Sequence, residues 1–116
     1  MDSTEPRRSE IWLASLGAGR KGEPGKNRPT IVISKGEFLF GAADELVVVV
    51  PLSSSVAASP LRPVIGPDAG IDSPSAAICR AVRGIARSRL LRPLGIVDQE
   101  KMAEIERALG LVLGLV

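Results

Sequence analysis

Arg28 stands where a loop of glycine, proline, lysine and asparagine runs into an apolar strand, in the stretch GEPGKNRPTIVIS (22–34). A guanidinium at such a junction has two uses. It is a solvated loop residue bracing the loop through a carboxylate, or it faces an anion that the small loop residues allow to approach. The serine run Ser53, Ser54 and Ser55, which follows the apolar VVVVPL (47–52), reads from its composition as part of a second small-residue loop. The chain has no histidine and one cysteine, Cys79, so few groups can move a proton. Cys79 lies in the apolar AAICRAV with no imidazole to activate it, and reads as a small buried hydrophobe rather than a nucleophile. Without histidine or clustered cysteine there is no zinc-type ligand set, and neither a metal nor another cofactor is expected.

Charge points to the same class of ligand. The formal net charge is only +2, but residues 73–97 contain no Asp or Glu and carry Arg80, Arg83, Arg87, Arg89 and Arg92. That is a footprint for a polyanion, or a solvated face balanced by acids elsewhere in the fold. Aromatic residues make up 3% of the chain, with one Trp, two Phe and no Tyr, which argues against a protein that stacks nucleic-acid bases on aromatic rings. Phosphate contacts stay open. The N-terminal MDSTEPRRSE lacks the apolar run of a leader, and the longest apolar run, 46–52, is too short to span a bilayer. A soluble cytoplasmic protein with no membrane partner is expected, and a single cysteine fits a reducing compartment.

The elements that must position these groups can be outlined. The 116 residues, 45% of them apolar, suit one domain. Residues 1–8 are expected to form a disordered tail and 9–116 a single domain. Strands are expected at 10–16, with Trp12 in the core, at 29–34, at 45–53, and at 76–86 and 92–98. Prolines limit 61–67 to an edge or broken strand. GEFLF (36–40) and RSRLL (87–91) each allow a short helical turn. Asp98 is a plausible N-cap, and Met102, Ile105, Leu109 and Val112 then recur at three- and four-residue steps, one amphipathic helix of roughly four turns. The fold class is therefore mainly β with α: a small, strongly curved antiparallel sheet or barrel closed by a C-terminal helix.

Several stretches, in this order and spacing, resemble the MazF/PemK family of bacterial toxin ribonucleases. RRSEIWLASLG (7–17) is similar to the family's opening strand. GEPGKNRPTIVIS resembles its Gly-x-Glu-x-Gly-x-x-Arg-Pro loop and the strand that follows. VVVVPLSSS resembles its apolar strand ending in Pro-Leu and a Thr or Ser. RSRLLRPLGIVDQEKMAEIERALGLVLGL is similar to its ending. The likeness covers about 7–115 and looks closest to actinobacterial, mycobacterial-type members. It implies an SH3-like, CcdB-like barrel assembled as a homodimer. It implies a toxin of a type II toxin–antitoxin system: a metal-independent endoribonuclease that leaves 2′,3′-cyclic phosphate and 5′-hydroxyl ends. It implies a MazE-like antitoxin as partner and RNA as substrate.

The resemblance also implies roles. Arg28 becomes the catalytic arginine, stabilising charge on the phosphate, because a guanidinium is too poor a base for proton abstraction. Ser53 takes the position where the family usually has a catalytic Thr, with Ser54 the next candidate. Glu23 matches the loop acid and would orient Arg28 or accept the 2′-hydroxyl proton. Arg20 and Lys26 are expected to contact the RNA backbone, as are Arg80, Arg83 and Arg87. One stretch departs from the family: where many members carry an acidic, Gln-containing run, this chain has RAVRGIA (80–86). Family contacts to substrate therefore do not carry over there, and the added arginines point to structured RNA such as a tRNA anticodon stem-loop. The alternatives are a CcdB-like toxin that binds DNA gyrase and cleaves nothing, and a non-catalytic RNA-binding barrel.

Overall fold

A computed structural model describes residues 5–21, 25–57 and 59–116. Strand β1 (Glu10–Ser15) pairs antiparallel with β2 (Asn27–Val32), and β2 with β3 (Leu46–Ser53). Strands β4 (Val64–Ile65) and β5 (Ser75–Ala77) extend the sheet beyond the end of β3. Strand β6 (Arg83–Ala86) pairs with the first half of β3, and β7 (Leu90–Ile96) with β1. Helix α1 (Gln99–Leu113) closes the chain.

Side-chain alternation splits the core in two. Ile11, Ile31, Val50 and Leu52 face Met102, Ile105 and Leu109 of α1. Their neighbours Trp12, Val32, Val47 and Val49 face Ile85 and Leu90 on the other side, where the sheet curls over itself. In the second half of β3, Val49 to Leu52, both faces are covered, which suits its continuous apolar run; at the start Leu46 and Val48 face outward. Trp12 is buried as expected, and its indole N–H is satisfied by Glu10 Oε1 at 3.0 Å.

The stretch 76–86, expected as one strand, is two. β5 leaves the sheet after Ala77, Cys79–Ala81 make a 3-10 turn against α1, and the chain returns as β6. The cause lies across the sheet. Leu46–Val49 of β3 pair with β6 and Leu52–Ser53 with β5. Between them sits Pro51, which has no N–H to give to a continuous ladder. Its carbonyl is used instead, accepting from Ile78 N at 2.9 Å. The other expected elements are present within a few residues, including the 3-10 turns at Gly36–Phe38 and Arg87–Arg89.

Asp98 caps α1, its side chain accepting from Lys101 N at 2.8 Å, a contact worth about 1 kcal/mol. Of the stretch expected to be a tail, 5–8 are described. Pro6 is buried, and Arg8 donates to the Ile33 carbonyl and to Glu106 of α1.

The sheet closes on itself without a ladder. The turn at Pro67–Ala69, ending on Gly70 with φ 103, lies directly on Leu94 and Gly95 of β7. A Cβ at Gly95 would land on the Ala69 carbonyl oxygen, and one at Gly70 on the Leu94 carbonyl oxygen. Neither obstacle is a flexible side chain, so backbone would have to move. Gly95→Ala is therefore expected to cost about 1–3 kcal/mol, read as a lower denaturant midpoint at fixed protein concentration. Gly36→Ala, where an added Cβ meets nothing within 4 Å, leaves the midpoint near wild type. Equal midpoints for the two variants would contradict a tight closure.

Candidate active site

Arg28 lies on β2 opposite Ala14 of β1. The β2–β3 ladder pairs Thr30 with Pro51, Ile31 with Val50 and Val32 with Val49. Carried two residues further, the same register sets Arg28 against Ser53. Arg28 is half-buried, and its guanidinium is held by backbone on both flanks. Nε donates to the Gly25 carbonyl at 3.0 Å and Nη1 to the Leu52 carbonyl at 3.3 Å. Among the described residues no carboxylate pairs with it, so the bracing-by-acid alternative finds no partner there. The Nη2 edge and one Nη1 hydrogen stay available to a ligand.

The loop before Arg28 is closed at its base. Leu16 N donates to the Lys26 carbonyl at 3.0 Å, and Lys26 N returns a bond to Gly17. Gly17 and Lys26 both take left-handed backbone, at φ 73 and φ 62. Gly25 packs so tightly on Gly19 that a Cβ there would strike the Gly19 backbone nitrogen. These glycines thus serve the loop's own packing, and through Gly25 they set the carbonyl that holds Arg28 Nε.

Arg28 and Ser53 line one cleft of about 390 Å³. β2 contributes Asn27 and Arg28, the end of β3 and its loop contribute Ser53, Ser54 and Ser55, and a third wall comes from Ile71, Asp72, Ser73 and Ser75. Ser53 is half-buried, and its Oγ accepts from Ser55 N at 3.2 Å, which leaves the hydroxyl hydrogen free to donate. Ser54 lines the same cleft but is exposed. Arg62 supports the serine wall from behind, Nη2 donating to the Ser55 carbonyl at 3.0 Å. Two larger hollows of about 490 and 430 Å³ lie around the start of α1; neither contains Arg28 or Ser53.

The other candidates divide. Lys26 is exposed two residues before Arg28, and Arg20 is exposed on the same loop. Glu23 lies outside the described residues. Arg80 is exposed on the 3-10 turn after β5, and Arg83 is exposed on β6 opposite Val49. Arg87 is not brought to the cleft. It pairs with Glu5 beside the start of β3, and its backbone N donates to the Glu45 carbonyl. Seven residues of β3 separate that end from Ser53, roughly 23 Å of strand. Sequence reasoning missed the third wall. The composition of PDAGIDSPS (67–75) is that of a turn-rich connector, and nothing in it says that β5 pairs Ala76 with Ser53 and carries Asp72 and Ser73 to the cleft.

Cys79 is fully buried in the α1-side core, and burial pushes its thiol up to about 11, so it has no nucleophilic role near neutral pH. Among the described residues no group of three or more His, Cys, Asp or Glu could hold a metal ion. Among the described residues no helix is long and apolar enough to cross a membrane. The cleft thus offers an anchored cation, a donating hydroxyl and a carboxylate, a set suited to a phosphodiester and to proton transfer.

Comparison with known proteins bears on the family and the fold. A family described as PemK-like, MazF-like toxin of type II toxin–antitoxin system matches residues 7–113. Endoribonuclease MazF9 of Mycobacterium tuberculosis is 32% identical over 114 residues, covering 94% of this chain and 97% of that protein. Among solved structures, MazF of Deinococcus radiodurans superposes with a TM-score of 0.80 at 22% identity, over 94% of this chain and 96% of that one. A mycobacterial endoribonuclease in complex with its cognate antitoxin gives a TM-score of 0.76 at 24% identity, over 97% and 98%. Both share the half-barrel and C-terminal helix.

Lys26 allows the loop backbone and the loop charge to be tested apart. Glycine adopts its left-handed conformation without strain, so Lys26→Gly should unfold at a midpoint equal to wild type or up to about 1 kcal/mol more stable. The same variant should bind single-stranded nucleic acid more weakly, with the log–log salt slope reduced by about 1. A destabilised variant would contradict the loop geometry, and an unchanged slope would remove Lys26 from the binding surface.

Proposed function

The chain belongs to the PemK-like, MazF-like toxins of type II toxin–antitoxin systems, and from that premise we propose that it is an endoribonuclease working through Arg28 and Ser53. The carrying observation is that the β2–β3 register brings these two residues into one cleft. The endoribonuclease relative supports RNA cleavage over the CcdB-like reading of a gyrase-binding toxin that cleaves nothing.

The chemistry follows from the groups. A ribose 2′-oxygen attacks the adjacent phosphorus, charge builds on the phosphate oxygens, and the 5′-oxygen leaves, giving 2′,3′-cyclic phosphate and 5′-hydroxyl ends. Arg28 meets those oxygens with its free Nη2, and because carbonyls already hold Nε and Nη1, little reorganisation accompanies the reaction. Ser53 donates its hydroxyl hydrogen to a phosphate oxygen while Ser55 N fixes its oxygen. A threonine at 53 would keep that hydroxyl and restrict its rotamer.

The partners are a second copy of the chain, an antitoxin and RNA. Leu46 and Val48 near the start of β3, with Leu111, Leu113, Leu115 and Val116 at the end of α1, leave large apolar side chains exposed, which supports a homodimer. The mycobacterial endoribonuclease solved with its cognate antitoxin supports a MazE-like partner here. The cytoplasm is the compartment in which RNA and such a partner meet the toxin. Arg80 and Arg83, exposed beside the strand that ends in the cleft, support a track for the crowded phosphates of a stem-loop.

Arg28→Ala is expected to fold and to lose on the order of 100–1,000-fold in cleavage rate. Arg28→Lys should lose nearly as much, since one ammonium cannot hold two carbonyls and meet two phosphate oxygens. Ser53→Ala should cleave poorly and Ser53→Thr well, while Ser54→Ala stays near wild type. Folded Arg28→Ala with normal rates, measured on a labelled oligonucleotide with end-group analysis, would refute the assignment. On substrate, a tRNA anticodon stem-loop should be cut faster than an unstructured RNA of the same loop sequence, and Arg80→Ala with Arg83→Ala should erase the difference. Equal wild-type rates on both RNAs would rule the preference out.

A further inference from the structure

The reaction leaves one role unfilled, the group that takes the proton from the 2′-hydroxyl. The chain has no histidine. A guanidinium holds its proton far above neutral pH, and a serine hydroxyl is no better as a base. Cys79 lies in the core, away from the cleft. Carboxylates remain, and among the described residues the cleft contains one, Asp72. We propose that Asp72 is the general base of this toxin, an inference that rests on the endoribonuclease reading of the same cleft.

Asp72 is exposed, and its carboxylate is engaged by no hydrogen bond or ion pair among the described residues, so it is available to a ligand. Its place is nonetheless held from both sides. Ile71 is buried in the α1-side core, and Gly70 before it lies on the Leu94 carbonyl. On the other side Ser75 is buried, is paired with Ile65, and donates its hydroxyl to the Ser73 carbonyl at 3.2 Å. A negative side chain is also the wrong choice for a cleft that only binds phosphate, because it repels the ligand. It is the right choice where a proton must be accepted beside a separate cation. Among the described residues Arg28 forms no ion pair with it.

The step balances. An Asp72 Oδ takes the 2′-hydroxyl hydrogen as the 2′-oxygen–phosphorus bond forms. The phosphorus–5′-oxygen bond breaks, the 5′-oxygen takes a proton from water, and the Asp72 carboxyl returns its own to solvent. No oxidant, reductant or metal enters.

The test is single-turnover cleavage by the full-length chain from about pH 4 to pH 9, for wild type, Asp72→Asn, Asp72→Glu, Glu23→Gln and Arg28→Ala. Asparagine keeps the shape and removes the base, so Asp72→Asn should cleave about 100-fold slower or worse while binding RNA as tightly as wild type or tighter. The fall in rate toward acid pH should vanish in Asp72→Asn and persist in Asp72→Glu. A substrate with sulfur at the 5′-bridging position needs no proton on its leaving atom, so it should leave Asp72→Asn slow. Normal rates in Asp72→Asn, a loss confined to KM, or rescue by the sulfur substrate would each overturn the assignment. Loss of the acid limb in Glu23→Gln alone would move the base to Glu23. Normal rates in Arg28→Ala would instead overturn the reading of the cleft itself, whatever Asp72 does.

Discussion

Ile31 faces Val50 and Val32 faces Val49 across the β2–β3 pair, and each couple is buried on an opposite side of the sheet. That double burial leaves the pairing no freedom to slip. A shift by one residue would exchange the two faces and drive Thr30, whose hydroxyl is bonded to the Trp12 carbonyl, out of its place. The cleft is downstream of this constraint. Arg28 is three residues before Ile31 and Ser53 three after Val50, so fixing the one pair fixes the other. The hydrogen bond from Arg28 to the Leu52 carbonyl then fastens the polar ends together where the apolar ladder stops.

Strand β3 works as an axis with two different ends. Its cleft end carries the hydroxyls, and its far end carries an acid held as a carboxylate. Backbone N–H groups of Phe40 and Gly41 hold the Glu45 carboxyl below its ordinary value, against a small opposing effect of burial and with a further contribution from Arg87. That stabilisation is present once the carboxyl is ionised in the unfolded chain and fades as pH falls through the lower folded value. The far end is thus a turn tied by charge and backbone, remote from the reacting groups. Between the two ends Pro51 interrupts the ladder and hands β3 from one neighbour to another, which brings β5 and the Asp72 segment to the cleft.

Much of this was legible in the residues. β-branched runs marked β2 and β3, and the spacing of Met102, Ile105 and Leu109 after Asp98 marked α1, because those signals are local. Arg28 was conspicuous from its flanking loop and strand, whereas Ser53 was singled out only by the family resemblance. The rest depended on contacts distant in sequence. The break at Cys79–Ala81 follows from a proline on another strand, and no periodicity in AAICRAVRGIA reveals it. Asp72 looked like one more polar residue in a turn. Its meeting with Arg28 is made by the pairing of Ser53 with Ala76 and by the seating of Gly70 on β7, neither of which has a local signature. The five arginines of 73–97 were visible as charge but not as positions, and the structure spreads them, placing Arg87 against Glu5.

Arg28 is tied down by two main-chain carbonyls, and this bears on how such a protein is silenced. Its side chain has given up its rotational freedom during folding, so nothing in its arrangement waits for RNA to complete it. On the proposed role of Arg28, folding alone prepares this side chain for its ligand. On that reading, restraint falls to a partner that covers the cleft and not to a rearrangement of Arg28 itself.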